Sequence, residues 1–213
     1  NISIGLLGTI AAKALGTSYR QAAETILFPA FGLRNTWIDV PERAMPDYAF
    51  GYDRKTGRPI RVSPGVLDAE AYGVKSSARD MLRVLDAELG FGRVPDDLKV
   101  AIARTREGRF RTPWFTQDMV WEQYPWPVRL DAMVAGNGAD VVLKPQPMEA
   151  ISPPLPPQKT VLLNKTGSTN GFGGYVVLIP GETLGVVVLA NRNYPNEARV
   201  RATFQLVEAL LAR

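Results

Sequence analysis

The 213-residue chain contains no cysteine and no histidine. The absence of cysteine excludes a disulfide framework, a thiolate metal site and a cysteine nucleophile within this sequence. The absence of histidine excludes any mechanism in which this sequence supplies an imidazole base or an imidazole metal ligand, the Ser-His-Asp triad included. No apolar run reaches the roughly 18 residues that are typical of a membrane span. We therefore expect no thiolate or imidazole metal site and no membrane-spanning segment.

Charge of one sign is not concentrated anywhere in the sequence. The formal net charge is only +4, and the densest basic group is interrupted by Gly57 and Pro59. That group consists of Arg54, Lys55, Arg58 and Arg61. A nucleic-acid-binding surface needs a denser basic stripe with interleaved aromatic residues, so we expect a solvated loop here and no nucleic-acid partner. The 46% hydrophobic content indicates a globular protein and excludes a disordered one.

The first half of the sequence has helical patterns on either side of one long loop. Apolar spacing, capping residues and breakers predict helices at about 4–15, 17–29, 76–90 and 95–104. Thr17 or Ser18 is the expected cap of the second helix, and Pro29 is expected to stop it. Residues from about 40 to 73 are rich in proline and glycine and predict a long loop, a feature that often carries function.

The second half is dominated by strand patterns. Dense strand signals lie at 161–163, 175–179 and 184–190, and the last two are joined by a predicted hairpin turn at 180–183. Residues 118–124 also read as a strand, whereas residues 133–157 are expected to be irregular because they end in a proline cluster. Asn196 is predicted to cap a final helix with one apolar face, formed by Val200, Phe204, Val207 and Leu211.

This order of elements predicts an α+β fold in which a late antiparallel sheet is covered by a C-terminal helix. We expect residues 1–115 to form part of a helical domain with the long loop, and residues 116–213 to form part of an α/β domain. Large aromatic side chains are usually core residues. We therefore expect the four tryptophans to belong to the core rather than to a functional site, namely Trp37, Trp114, Trp121 and Trp126.

The segment Lys165-Thr166-Gly167 stands at the end of a predicted strand, followed by Ser168. Lys-Thr-Gly in that context is the third motif of the serine β-lactamases and penicillin-binding proteins. The chemistry fits the residue types, because a strand edge offers backbone N–H groups to a developing oxyanion and lysine supplies a fixed positive charge. Glycine lets a substrate approach the backbone closely. Taken alone, the three residues also fit an ordinary strand flanked by turn glycines.

A second set of polar residues follows the predicted strand at 184–190. Asn193 and Asn196 lie in the run Asn191-Arg192-Asn193-Tyr194-Pro195-Asn196, and Arg199 comes one turn into the last helix. Two amides and a guanidinium can recognise an anion. Asn196 also fits a simple helix cap.

Together these segments resemble the class C serine β-lactamases over essentially the whole chain. The matching stretches follow the family's order and approximate spacing, and Lys-Thr-Gly followed by Asn-x-Asn-Tyr-Pro-Asn is a specific combination. They are 1–8, 31–33, 40–42, 71–75, 120–122, 126–127, 164–167 and 190–196. The resemblance implies the α/β sandwich of the β-lactamase/transpeptidase-like fold, with an Ω-like loop at about 40–73. It also implies hydrolysis of the β-lactam amide through a serine acyl-enzyme, with no metal and no cofactor.

Two of the family's motifs are absent from this sequence. No serine here is followed by lysine at the third position, so the Ser-x-x-Lys nucleophile motif is missing. Asn1 resembles the Asn of the family's Tyr-x-Asn motif, whereas Tyr194-Pro195-Asn196 matches that pattern only formally because it belongs to the late family segment. We therefore expect a fragment that lacks the N-terminal strands, the nucleophile helix and the tyrosine base, and that is inactive alone.

The resemblance implies a role for each site residue. Lys165 is expected to lie beside the missing tyrosine, favour its deprotonated form and help to bind substrate. The backbone N–H of Ser168 is expected to form one side of the oxyanion hole. The implied substrate-binding residues are Asn1, Tyr72, Thr166, Gly167, Asn193, Asn196 and Arg199.

Among these substrate-binding residues, Asn1 is expected to bond the amide of the substrate side chain, and Tyr72 to flank the bound antibiotic. Carboxylate recognition is implied for Thr166, Asn193, Asn196 and Arg199. Glu122 resembles a polar residue near the pocket floor, with a structural role equally open.

Two other functions remain open at this point. One keeps the fold but changes the substrate: a penicillin-binding DD-peptidase or an esterase. The other is a non-catalytic module that binds β-lactam or peptidoglycan. For the complete enzyme, the resemblance implies a small-molecule β-lactam substrate, a monomer, and a periplasmic location reached through a signal peptide upstream.

Overall fold

The computed structural model describes residues 2–212. Its α-helices are α1 (Ile2–Ala14), α2 (Tyr19–Ala22), α3 (Phe28–Ala30), α4 (Asp68–Ala71), α5 (Ala78–Glu88), α6 (Asp96–Thr105), α7 (Leu130–Gly136), α8 (Ala139–Leu143) and α9 (Asn196–Leu211). Its strands are β1 (Gly51–Tyr52), β2 (Pro59–Ile60), β3 (Gly108–Arg111), β4 (Thr116–Asp118), β5 (Glu122–Pro125), β6 (Glu149–Leu155), β7 (Val161–Ser168), β8 (Gly173–Ile179) and β9 (Leu184–Ala190). None of these helices is long and apolar enough to cross a membrane.

One antiparallel sheet organises the second half of the chain. Its strand order is β6-β3-β4-β5-β7-β8-β9, and β1 pairs with β2 in a separate hairpin. The predicted α+β fold with a late antiparallel sheet is therefore confirmed. Strand β7 continues beyond its predicted end at 163, because Lys165 to Ser168 go on pairing with β8. The predicted hairpin between β8 and β9 turns through a short 3₁₀ helix (Pro180–Glu182).

Helices cover both faces of this sheet. Val200 and Val207 of α9 pack in the same buried cluster as Val177 of β8, whereas Leu85 of α5 packs with Leu178 in a second cluster. Neighbouring residues of a strand point to opposite faces, so α9 and α5 lie on opposite sides of the sheet. The predicted covering of the sheet by the C-terminal helix is observed, and each buried valine or leucine contributes roughly 1.5–3 kcal/mol. The apolar face of α9 ends before Leu211, which is 40% exposed.

The stretch at 133–157 is not irregular, and that prediction is wrong. It contains the end of α7, all of α8 and the strand β6. Pro153 and Pro154 lie inside β6, which is the outermost strand and pairs only with β3. An edge strand tolerates proline because one of its sides needs no N–H donors, and the register of β3 and β6 shifts in this region.

The second helix does not stop at Pro29. It passes from α2 through a π-helical turn (Ala23–Leu27) into α3, and Pro29 lies in the first turn of α3. Proline is tolerated there because the first N–H groups of a helix have no intrahelical partner. Ser18 is the observed cap, since its hydroxyl accepts from the N–H of Gln21 at 3.2 Å.

The expectation that the tryptophans belong to the core holds for Trp121 and Trp126, which pack in the buried clusters, and is wrong for Trp114. Among the four tryptophans, all of which lie in the described part of the chain, only Trp121 is buried, at 7% exposure. Trp37 and Trp126 are half-buried, and Trp114 is 42% exposed. The indole N–H groups of Trp114 and Trp126 donate to Gln146 and Glu182, so both rings keep a polar edge at the surface.

Candidate active site

The end of β7 is paired along one edge only. Strand β5 pairs with β7 as far as Glu122 opposite Asn164, whereas β8 pairs with β7 through to Ser168. Within residues 2–212, the backbone of Lys165 to Ser168 therefore has no strand on its β5 side. An open strand edge leaves room for a ligand to pair with the backbone.

Lys165 stands at this edge with its charge held in place. Its Nζ lies 2.7 Å from Oε1 of Glu122, and the exposed fractions of the two side chains are 46% and 11%. The carboxylate is thus nearly buried while the ammonium reaches solvent. A cation fixed in this way stabilises negative charge that develops beside it without having to reorganise.

Arg199 lies beneath the turn between β7 and β8. It is only 3% exposed, and its two Nη atoms donate to the carbonyl oxygens of Gly167 and Gly174 and to Oγ of Ser168, each at 2.7 Å. Burial lowers the pKa of Arg199 below its usual value. The guanidinium thus fixes the last residues of β7 from inside the protein, and its Nη atoms are directed at backbone and side-chain oxygens of the protein itself.

The amides around Arg199 are also engaged. Asn196 does not cap α9, so that prediction is wrong: Pro195 occupies the cap position and makes no side-chain cap bond. Instead, Oδ1 of Asn196 accepts from Arg199 at 2.5 Å, and its Nδ2 donates to the carbonyl of Asn137 at 3.1 Å. Asn193 donates to the carbonyl of Thr169 at 2.6 Å. These longer-range partners compete with capping.

The hairpin of the long loop is docked onto the turn that follows β7. The N–H of Tyr52 donates to the carbonyl of Gly171 at 3.3 Å, and Asn170 donates to Asp53 at 2.7 Å. A Cβ on Gly51 would lie 2.5 Å from the Gly171 oxygen, so glycine permits this contact. Hydrogen bonds, above all from the N–H of Thr56, lower the pKa of Asp53.

Thr166 and Gly167 lie between Lys165 and Ser168 in β7, and they differ in how closely other atoms surround them. Thr166 is half-buried opposite Tyr175 of β8. A Cβ on Gly167 would meet no described atom within 4 Å. The fold itself therefore does not require glycine at 167, and the space above it is free for a substrate.

Two of the predicted substrate-binding residues are not brought to β7 by any described contact. Tyr72 follows α4 and is half-buried. Its hydroxyl lies beside Gly65 within the long loop, 2.6 Å from where a Cβ on that glycine would stand. Asn1 lies outside the described residues. The roles predicted for both remain predictions.

Comparison with known proteins decides the family. The Beta-lactamase family description matches residues 1–211. This chain belongs to the β-lactamase family. Among curated β-lactamases, those of Psychrobacter immobilis and Escherichia coli K12 are 44% and 42% identical to it, each over 99% of this chain. The chain covers 52% and 55% of those two proteins, so it spans about half the length of the curated relatives it matches.

Solved β-lactamase structures share the fold closely. A β-lactamase from Sulfitobacter sp. EE-36 is 64% identical with a TM-score of 0.97, over 99% of this chain and 58% of that one. A class C β-lactamase from Rhodobacter sphaeroides is 62% identical with a TM-score of 0.95, over 99% and 59%. A D-alanine carboxypeptidase AmpC from Burkholderia cenocepacia is 43% identical with a TM-score of 0.95, over 98% and 59%. The resemblance drawn from the sequence is thereby confirmed.

Two buried residues beside the candidate site were not predicted from the sequence. Asn137 and Asn164 form a buried amide pair directly behind Lys165. Asn164 precedes the Lys-Thr-Gly motif, so a polar residue at a position expected to face the core was an available signal. No local pattern distinguishes Asn137, because its partners are distant in the sequence.

Proposed function

We propose that this chain supplies the electrostatic half of a class C β-lactamase site. In the proposed enzyme, here called the complete enzyme, this chain follows a segment with the Ser-x-x-Lys motif and the tyrosine of Tyr-x-Asn. The complete enzyme hydrolyses penicillins and cephalosporins in the periplasm, as a monomer. The proposal rests on the position of Lys165, which Glu122 holds at the open edge of β7, in the same strand end as Ser168. Identities of 62% and 64% to solved β-lactamases support it.

The proposed reaction has two steps. The serine hydroxyl attacks the lactam carbonyl while its proton passes to the tyrosinate of the tyrosine–lysine pair. The negative oxygen of the tetrahedral intermediate then accepts a hydrogen bond from the backbone N–H of Ser168. The C–N bond then breaks, the ring nitrogen takes a proton, and an acyl-enzyme remains. Water hydrolyses that ester and regenerates the serine. The proton that the tyrosinate takes from the serine is the one that it passes to the ring nitrogen, and Lys165 stabilises the tyrosine whenever it is deprotonated.

Substrate recognition is proposed for the rest of the site. Thr166 offers its hydroxyl to the substrate carboxylate, and Gly167 lets the substrate approach β7. Asn193, Asn196 and Arg199 support that end, Arg199 by fixing the backbone from within. Asn1 and Tyr72 are proposed to contact the substrate side chain.

The first test compares this chain with the complete enzyme. A chromogenic cephalosporin should be hydrolysed by the complete enzyme, whereas the 213-residue chain alone should give neither a burst nor turnover, because it lacks the nucleophile. Hydrolysis by the chain alone would contradict the proposal. If the complete enzyme binds cephalosporin without turnover, the protein is instead a binding module.

A second candidate function is D-alanine carboxypeptidase. It is favoured by two similar structures described with that activity, one from Burkholderia cenocepacia at 43% identity and a β-lactamase/D-alanine carboxypeptidase from Pseudomonas syringae at 48%. Release of D-alanine from a D-alanyl-D-alanine peptide measures it. We expect this release to be slower than cephalosporin hydrolysis, and a faster release would make the peptidase the main function.

A further inference from the structure

Two buried amide side chains lie directly behind the candidate site. Asn164 of β7 is fully buried, and Asn137, immediately after α7, is 1% exposed. A buried amide that loses its hydrogen bonds destabilises a protein by about 1–3 kcal/mol. Here Nδ2 of Asn137 donates to Oδ1 of Asn164 at 3.0 Å, and Nδ2 of Asn164 donates to the carbonyl of Glu122 at 3.0 Å.

Backbone carbonyls fix the direction of these bonds. The carbonyl oxygens of Glu122 and Met133 only accept, so the NH₂ groups of Asn164 and Asn137 must face them. Asn164 then presents its oxygen to Asn137, which still has a donor to give. These partners fix the orientation of both amides, while Oδ1 of Asn137 accepts no hydrogen bond from the described residues.

Asn164 couples β7 to β5 beside Lys165. Because side chains alternate along a strand, Asn164 points into the core while its neighbour Lys165 points outward. Glu122 is held at both ends, its carbonyl by Asn164 and its carboxylate by Lys165 at 2.7 Å. A slip of β7 along β5 would break both bonds together.

Asn137 reaches the other end of the site through α9. Its carbonyl accepts from Asn196, which accepts in turn from Arg199. Arg199 then holds the carbonyl of Gly167 and the hydroxyl of Ser168. The side chain of Asn137 is thus connected to Lys165 by way of Asn164 and Glu122, and its backbone carbonyl is connected to Ser168 by way of Asn196 and Arg199.

We propose that Asn137 and Asn164 are positioning residues that set the separation between the Lys165 ammonium and the Ser168 backbone N–H. The proposal rests on the proposed function and deepens it, because it gives the loop after α7 a part in catalysis. Neither amide touches substrate. They act by preorganising the two groups that stabilise the transition state.

Three variants of the complete enzyme separate positioning from stability. Asn137→Leu and Asn164→Leu each remove the bond between the two amides, so the remaining buried amide keeps only its bond to a backbone carbonyl, and each variant should lower the free energy of unfolding. The double variant replaces both amides with apolar groups of similar size and should regain part of that loss. Acylation, measured as kcat/KM with a cephalosporin, should fall at least about 10-fold in all three, because a displacement near 1 Å can reduce rates about 100-fold.

The readouts are chosen so that a purely structural role would not reproduce them. Affinity for a boronic acid that forms a tetrahedral adduct should fall with kcat/KM, while affinity for the hydrolysed product stays constant. Val207→Ala, in the core contact of α9, is the control that lowers stability without affecting acylation. Recovery of acylation together with stability in the double variant would overturn the proposal.

A further measurement does not depend on turnover. Backbone amide exchange at 165–168 should be faster in the double variant than in the wild type, and unchanged exchange would overturn the positioning role. If the wild-type complete enzyme fails to hydrolyse β-lactams, the proposed function fails, while the exchange result still decides whether the amide pair holds β7.

Discussion

Two groups of buried or half-buried polar side chains in this chain are satisfied to different degrees. The site network consists of Arg199, Asn196, Asn137 and Asn164, and the Arg106 cluster consists of Arg106, Glu88 and Asp118. Arg199 directs its Nη atoms at four acceptors around the end of β7, and the buried atoms of the network that find no partner among the described residues are Nε of Arg199 and Oδ1 of Asn137. Arg106 donates only to the backbone carbonyls of Glu88 and Gln158, at 3.0 and 3.2 Å.

The carboxylates of the Arg106 cluster lack donors. Neither oxygen of Asp118 accepts a hydrogen bond from the described residues, and Oε2 of Glu88 accepts none either. Burial raises the pKa of both groups to about 7, and the nearby charge of Arg106 only partly opposes this. Burial alone therefore does not decide whether a polar group helps the fold, because the donors around it do.

The largest expected effect comes from Lys165→Ala. This variant leaves the nearly buried carboxylate of Glu122 without its cation, so that it lacks a donor like the carboxylates of the Arg106 cluster. Acylation by the complete enzyme should fall about 10²–10⁴-fold, the range for positioned acid–base or electrostatic groups. Burst kinetics with a cephalosporin measure it. Lys159→Ala, which removes an exposed lysine, is the matched control, and an equal rate for the two variants would remove Lys165 from the site.

The next effect concerns pH and the Arg106 cluster. The pKa values of Glu88 and Asp118 rise from 4.5 and 3.8 to about 7, so the folded state keeps protons that the unfolded chain has released. Their contribution to stability is complete below about pH 4 and is lost as the pH rises through about 7. Each pKa unit corresponds to about 1.4 kcal/mol, so the free energy of unfolding should drop by a few kcal/mol.

Urea unfolding of the complete enzyme at pH 5 and pH 8 checks this prediction. Asp118→Asn keeps the shape of the side chain without the charge and should flatten the pH dependence. Asp86→Asn, at an exposed position of the same helix as Glu88, should leave it unchanged. A free energy of unfolding that is constant or rises from pH 5 to pH 8 in the wild type would contradict the claim that the Arg106 cluster is less well satisfied than the site network.

A smaller effect distinguishes the two arginines directly. Lysine keeps the charge but cannot reproduce the planar fork of donors. Arg199→Lys should therefore lower the free energy of unfolding by about 1–3 kcal/mol, and Arg106→Lys by less, because Arg106 makes fewer hydrogen bonds. Urea midpoints measure both, and a larger loss at Arg106 would reverse the comparison.

The smallest stability effect is expected at Gly167. Because a Cβ there meets free space, Gly167→Ala should change the free energy of unfolding by less than about 0.5 kcal/mol, while it lowers kcat/KM by obstructing the substrate. Gly51→Ala is the contrasting variant, since its Cβ would meet the backbone of Gly171. It should destabilise the protein by about 1–3 kcal/mol. Equal thermal shifts for the two would contradict this.

The parts of the fold that were predictable from the sequence are those with local signals. The strand carrying Lys165, the hairpin at 180–183 and the cap at Ser18 follow from residues close together in the chain. The Lys-Thr-Gly motif also carries its own context, a strand followed by glycines, so the family could be named from it and its neighbours.

The errors arose where distant contacts outweigh local preference. Asn196 has the sequence context of a cap, yet its amide is taken by Asn137 and Arg199. The prolines of β6 suggested an irregular stretch because nothing in the sequence marks β6 as an edge strand. The pairing of Asn137 with Asn164 spans 27 residues and leaves no periodic trace. Such partners are created by the fold rather than by sequence neighbours.

In the proposed mechanism, Lys165 on the open edge of β7 promotes the opening of a lactam ring by an upstream serine. Rapid-quench mass spectrometry of the complete enzyme with a cephalosporin tests it most directly. We expect a covalent adduct on the serine of the Ser-x-x-Lys motif, and we expect it to form at least about 100-fold more slowly in Lys165→Ala. An adduct that forms equally fast in both proteins, or hydrolysis without any adduct, would contradict it.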